Sequence, residues 1–381
     1  AADLLTTLQN SATADGDVYV SVIPFNVMVK VDPSNVTADW IDWTAWEAEP
    51  PFTKPGNWSS IGPGSSCPFT SRDHGFTCTD RPATASGARS ASSIPSSGTY
   101  AGYICPSVDG GNKTGIRRGI FYNGCYNSVP PETTTTQTVN NCNGKSNCTC
   151  TTTGRGRNQT TVCTQTVTTT GAPYTHNWIV NDRSTWNGCI ADRNKDYDTN
   201  ADAPIDSATS FPAMQYKDCP VTLMQLSYDW ESLASKIEAM QPVGYTNQSI
   251  GMAWGWLSLL QQKPLNAPAL EANYQYTNVV ILLSDGDNTQ NRFSTSASAI
   301  DARQKLLCDN AKALNPQTGR PHVDEIFTIQ VNTDGTATSS VMEYCASNPK
   351  AKHAFTTTTA AGIGAAFNQI ATQLSMLRLT Q

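Results

Sequence analysis

The chain has 381 residues, 31 of them acidic and 25 basic, for a net charge of −6, and only 15 % are charged. At roughly 100–200 residues per domain this is room for two or three domains with a real core, and no basic excess marks a nucleic-acid partner. Nine Trp and thirteen Tyr exclude a disordered chain, and the one dense apolar run, Val279 to Leu283, falls far short of the ~20 residues of a membrane span.

Residues 1–10 place Leu4, Leu5 and Leu8 at helical spacing, and Asp15-Gly16-Asp17 then turns the chain into an extended run, Val18 to Ile23. A second extended run, Val27 to Val31, is close enough to pair with it as a hairpin. The character changes near residue 32. Trp40, Trp43, Trp46 and Trp58 lie among prolines, and ten of the twelve cysteines fall between 67 and 219, which predicts a separate module over 32–218. No CxxC…CxxC pair is present to hold zinc, so the cysteines are expected as disulfides of an extracytoplasmic protein in the periplasm, at the surface or outside the cell. Within the module, the threonine-rich runs 133–139 and 164–170 read as two antiparallel strands stapled by disulfides, because a branched Cβ favours extended backbone. The sequons at Asn35, Asn57, Asn112, Asn147, Asn158 and Asn247 arise easily by chance in threonine-rich sequence and carry little weight.

From 219 to 381 helices and strands alternate. Asp229 is placed to cap a helix carrying Trp230, Leu233 and Ile237, and Gly251 to Leu260 reads as the next helix. A buried strand over 278–283 stops at Ser284-Asp285-Gly286-Asp287-Asn288. A helix over 300–314, a strand over 326–331, a short helix over 338–347, a short strand at 353–355 and a helix over 363–377 complete the order. This alternation predicts a parallel sheet covered on both faces. Ligands of such sheets sit beyond the carboxyl ends of the strands, where Asp285 falls, and a loop hydroxyl at Thr246 can serve the same hard cation. Cys308 and Cys345, remote from the other ten, are expected to pair with each other, stabilising the fold by roughly 3–4 kcal/mol.

The segments Val22-Ile23-Pro24-Phe25-Asn26, Thr246-Asn247 through Trp254-Gly255-Trp256, Val279 through Asp285-Gly286-Asp287-Asn288-Thr289, Cys345-Ala346-Ser347-Asn348-Pro349 and Leu377-Arg378-Leu379-Thr380 together resemble the C-terminal von Willebrand factor A region of TadG-like proteins. These are bacterial envelope proteins of the Tad (tight adherence, Flp pilus) system. The resemblance covers 1–31 and 219–381; inside the module only Trp40-Ile41-Asp42-Trp43 and Trp186 to Arg193 share it. It implies a doubly wound α/β A-like domain, 1–31 plus 219–381, interrupted by a large disulfide-rich, mainly β and irregular insertion. A-domains bind a divalent cation, Mg or Ca, through an Asp-x-Ser-x-Ser motif, a threonine and an aspartate in three loops. Thr246 and Asp285 match the last two, whereas Asp206-Ser207-Ala208-Thr209-Ser210 has neither the spacing nor the place of the first. On this reading the start of the domain, with its anchor, first strand and first motif, is missing. Two sheet edges are then exposed, to be completed by a retained upstream strand or by a neighbouring molecule.

A second cation candidate is the calcium-loop-like series Asp192, Asn194, Asp196 and Asp198, although Tyr197 and Ala203 stand where such a loop has glycine and glutamate. Enzyme signatures are missing: His74, His176, His322 and His353 are scattered, and no HExxH, GxSxG or P-loop is present. The function the resemblance implies is non-enzymatic, with the loops and the module binding protein partners of the envelope or pilus machinery. The alternative is a structural subunit that self-assembles into an extracellular filament or sheath through its Trp- and Tyr-rich stretches and the open sheet edge.

Overall fold

The computed structural model describes residues 2–271, 273–335 and 337–379. Ala1 and Thr380, the ends of the resembling segments, lie outside the described residues. The chain forms two compact units, one of residues 1–48, 108–121 and 182–381, the other of residues 49–107 and 122–181. The second unit is narrower than the expected 32–218 module. Residues 32–48, 108–121 and 182–218 pack with the first unit: Trp40, Trp43, Trp46 and Trp186 build its aromatic core, and Ile120 clusters with Val27, Met28 and Tyr216.

In the first unit, strands Val279–Ser284, Glu325–Val331 and Ala354–Thr357 form a parallel sheet in that order. Alternation along the strands directs side chains to two faces. Phe327 and Ile329, with Val279 and Ile281, meet Leu4 and Leu8 of helix Ala2–Ser11 and Phe367 and Ile370 of helix Ala360–Leu379. Val280 and Ile326 meet Met252 and Trp256 of helix Gln248–Leu257, Leu307 of helix Ala297–Lys312 and Val341 of helix Ser340–Cys345. Helices therefore cover both faces. The Cys308–Cys345 disulfide, S–S 1.98 Å, joins two of these helices within the second cluster.

A two-stranded antiparallel sheet of Val20–Val22 and Met224–Ser227 belongs to the same unit. The expected hairpin between the first two extended runs is therefore not formed. Val29–Lys30 pairs instead with Cys189–Ile190, fixed beside the Cys189–Cys219 disulfide. Among the described residues, strand Val20–Val22 has only Met224–Ser227 as a ladder partner, and Val279–Ser284 has only Glu325–Val331. Val20 and Ile281 nevertheless share one apolar cluster. Helix Gln248–Leu257 approaches the neighbourhood of both strands through small residues. A Cβ on Gly251 would lie 2.4 Å from the Phe25 ring, and one on Gly255 would lie 3.4 Å from Val280. Ser258, just past the helix end, meets Ser21 Oγ to Oγ at 2.8 Å.

The remaining core of this unit is aromatic. Trp43 packs edge-on to Trp46 and Trp186, and Trp40 and Trp254 do so around Phe211. Trp46 is 1 % exposed and Trp254 is 1 % exposed. These tryptophans are core, which removes them as the subunit contacts of a filament.

The second unit has a five-stranded antiparallel sheet that includes Tyr103–Pro106, Gly124–Val129 and Thr175–Val180, packed on Phe69, Phe76, Tyr122 and Tyr126. It also has a three-stranded sheet in which Thr160–Thr170 lies between Glu132–Val139 and Cys148–Thr153. The two threonine-rich strands pair antiparallel as the sequence suggests, but the disulfide staple is not between them: Cys163 is bonded to Cys150 of the third strand, which was hidden among its cysteines. Disulfides Cys67–Cys78, Cys105–Cys125, Cys142–Cys148 and Cys150–Cys163 complete the pairing of all twelve cysteines. Six disulfides fit an oxidising compartment. Among the described residues, no helix is long and apolar enough to cross a membrane.

Candidate functional site

Strand Val279–Ser284 ends where the sequence places it, and Asp285 follows in an exposed loop, accepting a hydrogen bond from Ser284 Oγ at 3.1 Å. Gly286 has φ +122°, and a Cβ there would lie 2.4 Å from Gln330 Nε2, so only glycine lets the chain turn so close to the neighbouring strand. Gln330 cannot easily yield, because its Oε1 accepts from Ser339 N at 2.8 Å.

Thr246 lies in the adjacent loop, half-buried, ahead of helix Gln248–Leu257. Its N–H donates to Thr289 Oγ1 at 2.8 Å, and its carbonyl accepts from Thr289 N at 2.9 Å. These bonds place the Thr246 loop and the Asp285 loop side by side. Buried amides fix them from beneath. Asn288 Oδ1 accepts from Gln248 N at 2.8 Å, and its Nδ2 donates to Asp301 Oδ1 at 2.8 Å and to Gln304 Oε1 at 2.7 Å. Gln304 in turn donates to Gln248 Oε1 at 3.1 Å.

The second candidate joins the same network. Asn247, next to Thr246, donates through Nδ2 to both carboxylate oxygens of Asp192, at 2.9 and 3.0 Å. Arg292 N donates to Asp192 Oδ2 at 3.1 Å, and Arg292 Nη1 donates to Asn194 Oδ1 at 2.9 Å. Burial pushes the Asp192 carboxyl up to about 6, against the lowering effect of the Arg292 N–H and the Asn247 amide. Arg303 holds the other two carboxylates, Asp198 through a forked pair with its Nε at 2.8 Å, and Asp196 at 2.9 Å. Its bonds to Asp198 push the guanidinium up. The Asp198 side chain is 6 % exposed, so this pair is largely out of water.

These geometries bear on what each group can hold. A hard cation needs six or more converging oxygens. The carboxylates of Asp192, Asp196 and Asp198 already face an amide and two arginines, and Tyr197–Thr199 is a helical turn between them. At the other loops, Thr246 and Asp285 would be two donors, which does not make a complete site. Asp206, in the segment with the wrong spacing, accepts from the N–H groups of Ala208 and Thr209, as a turn aspartate does. Among the described residues, the closely convergent group of His, Cys, Asp or Glu is Cys142, Cys150 and Cys163, all in disulfides. The histidines stay apart: His353 Nε2 lies 2.9 Å from Glu325, and His176 Nε2 lies 2.8 Å from the Ile61 carbonyl. A cavity of about 250 Å³ lined by Lys312, Val323, Asp324 and Ser347 sits by the first residues of strand Glu325–Val331, the end of the sheet away from Asp285.

Nothing local marks Arg292 or Arg303, and Asn247 and Asn288 stand out in the sequence only as members of the segments that carry the resemblance; the partners that give these four their roles lie from 13 to 105 residues away. Arg193 likewise carries no local mark of its role. It is 4 % exposed and donates to the carbonyls of Asp202 and Thr209, at 2.7 and 3.3 Å, shaping the loop that follows.

No protein-family model, curated protein or solved structure matches the chain.

Proposed function

We propose that the chain is a non-enzymatic envelope or surface protein of a Tad-like adhesion system, whose A-like unit binds protein partners at the Thr246 and Asp285 loops. On this reading an extended segment lies between Val20–Val22 and Val279–Ser284 and completes one sheet, with the binding loops at its end. The observation that carries the reading is the pair of one-sided strands sharing an apolar cluster. An edge of unpaired N–H and C=O groups is a template for another strand. Cation dependence would require further oxygens from that segment, because Thr246 and Asp285 alone do not satisfy a divalent ion.

The test is hydrogen exchange on protein isolated undenatured from its own cells, with mass analysis of any associated peptide. Slow exchange at 20–22 and 279–284, together with a bound or continuous extra segment, is the expected result. Fast exchange at both strands in the native protein would defeat the reading.

A further inference from the structure

The three-stranded sheet of the second unit presents an ordered face. Its register sets Thr134, Thr136 and Thr138 against Thr168, Thr166 and Thr164. On the other side of the central strand, Thr149, Thr151 and Thr153 oppose Thr164, Val162 and Thr160. Directly opposed residues share a face and neighbours in sequence alternate, so one face carries threonine at each of these positions except Val162. All are exposed apart from half-buried Thr164, and Val162 is 46 % exposed. The Cys150–Cys163 disulfide falls on the reverse face.

Strand Glu132–Val139 is an edge of this sheet, eight residues long, with an unbroken register and a ladder partner on one side. Soluble proteins blunt such edges with charge, proline, a bulge or a covering segment. Pro130, Pro131 and Glu132 guard only the start of this strand, and residues 133–144 contain no charged side chain and no proline. The opposite edge, Cys148–Thr153, is six residues long and is flanked by Lys145 on one side and Arg155 and Arg157 on the other, so the same antiparallel pairing there would bring Lys145 of one copy near the arginines of the other.

We infer that the Glu132–Val139 edge is an interface with a second copy of this chain, formed by antiparallel pairing of the strand with itself about Thr136. A two-fold contact of this kind sets Thr136 against its counterpart and Thr134 against Thr138 of the other copy. Every pair on the threonine face is then Thr with Thr, a favourable cross-strand pair, and no like charges meet. A foreign strand has less reason to be selected, because specificity in strand addition comes from side-chain pockets and this uniform face offers none. The inference does not use Thr246, Asp285 or the one-sided strands of the first unit, so it stands or falls separately from the function proposed above.

Sedimentation of the oxidised full chain over a range of micromolar concentrations tests it, with hydrogen exchange at 134–138 read in parallel. The expected result is a reversible monomer–dimer equilibrium with protection of those amides in the dimer. Thr136→Glu, which brings two carboxylates together across the two-fold, should weaken association at least ~tenfold. Thr151→Glu, on the same face but the other edge, should associate like the parent. Both positions are exposed, and intact disulfides by mass confirm that each variant is folded. A chain that remains monomeric, a Thr136→Glu variant that associates normally, or loss of association in Thr151→Glu alone would each overturn the inference.

Discussion

The two units solve the problem of burial in different ways. The first stacks helices on both faces of a parallel sheet and adds an aromatic core, with two disulfides. It can therefore bury a polar network of Asp192, Asn247, Arg292, Asn288 and Gln304 beside its loops. The second has short or exposed strands and one aromatic cluster, and it carries four disulfides. Where apolar burial is thin, covalent closure limits the unfolded ensemble instead. The lesson is that position-sensitive polar groups belong to the unit whose packing can hold them.

The comparison can be broken most forcefully at Arg303. Arg303→Ala leaves the buried Asp198 carboxylate unpaired and should cost about 3–5 kcal/mol, read by urea unfolding, with faster exchange confined to strands of the first unit. Adding Asp198→Asn should recover a large part of that loss. Replacing Cys105 and Cys125, 1 % and 2 % exposed, with serine should cost about 3 kcal/mol and speed exchange at Tyr103–Pro106 and Gly124–Val129 in the second unit. If either change acts equally on both units, the contrast between them fails.

A smaller effect is carried by pH. The Asp192 carboxyl rises from 3.8 to about 6 on folding, so between those values the folded chain keeps a proton that the unfolded chain has released. Stability contributed by this group therefore falls as pH rises from about 4 to about 6, by up to about 1.4 kcal/mol per pH unit. Asp192→Asn should flatten that slope in unfolding curves taken at pH 4.5, 5.5 and 6.5. Smallest of all, Asp285→Ala should change stability by no more than about 0.5 kcal/mol while reducing partner binding, because the residue is exposed. A large loss of stability there would make Asp285 a structural turn residue.

Local signals were read well where the physics is local. Asp229 does cap its helix, its carboxylate accepting from Ser232 N at 3.0 Å, and the buried strand at 279–284 is announced by five consecutive apolar residues. The threonine strands follow from β-branching. What failed was long-range pairing. Val29–Lys30 looks like a hairpin partner for the preceding strand, yet its ladder is with Cys189–Ile190. The tryptophans of 40–46 looked like surface contacts because their cover, Phe211 and Trp254, is far away in sequence. Thr246 and Asp285 were legible as neighbours, since each ends or begins an element. The arginines that hold Asp192, Asp196 and Asp198 were not, since an arginine carries no local mark of the carboxylate it will meet.

The antiparallel mates Val20–Val22 and Met224–Ser227 are separated in sequence by the whole of the second unit. At ribosomal speeds of about 5–20 residues per second, the later strand emerges roughly ten to forty seconds after the earlier one. The early strand must wait through that interval, while the intervening cysteines reach an oxidising compartment and close their own loops. Order of birth thus favours the second unit. Any delay in its disulfide formation would prolong the time that Val20–Val22 spends without its ladder partner.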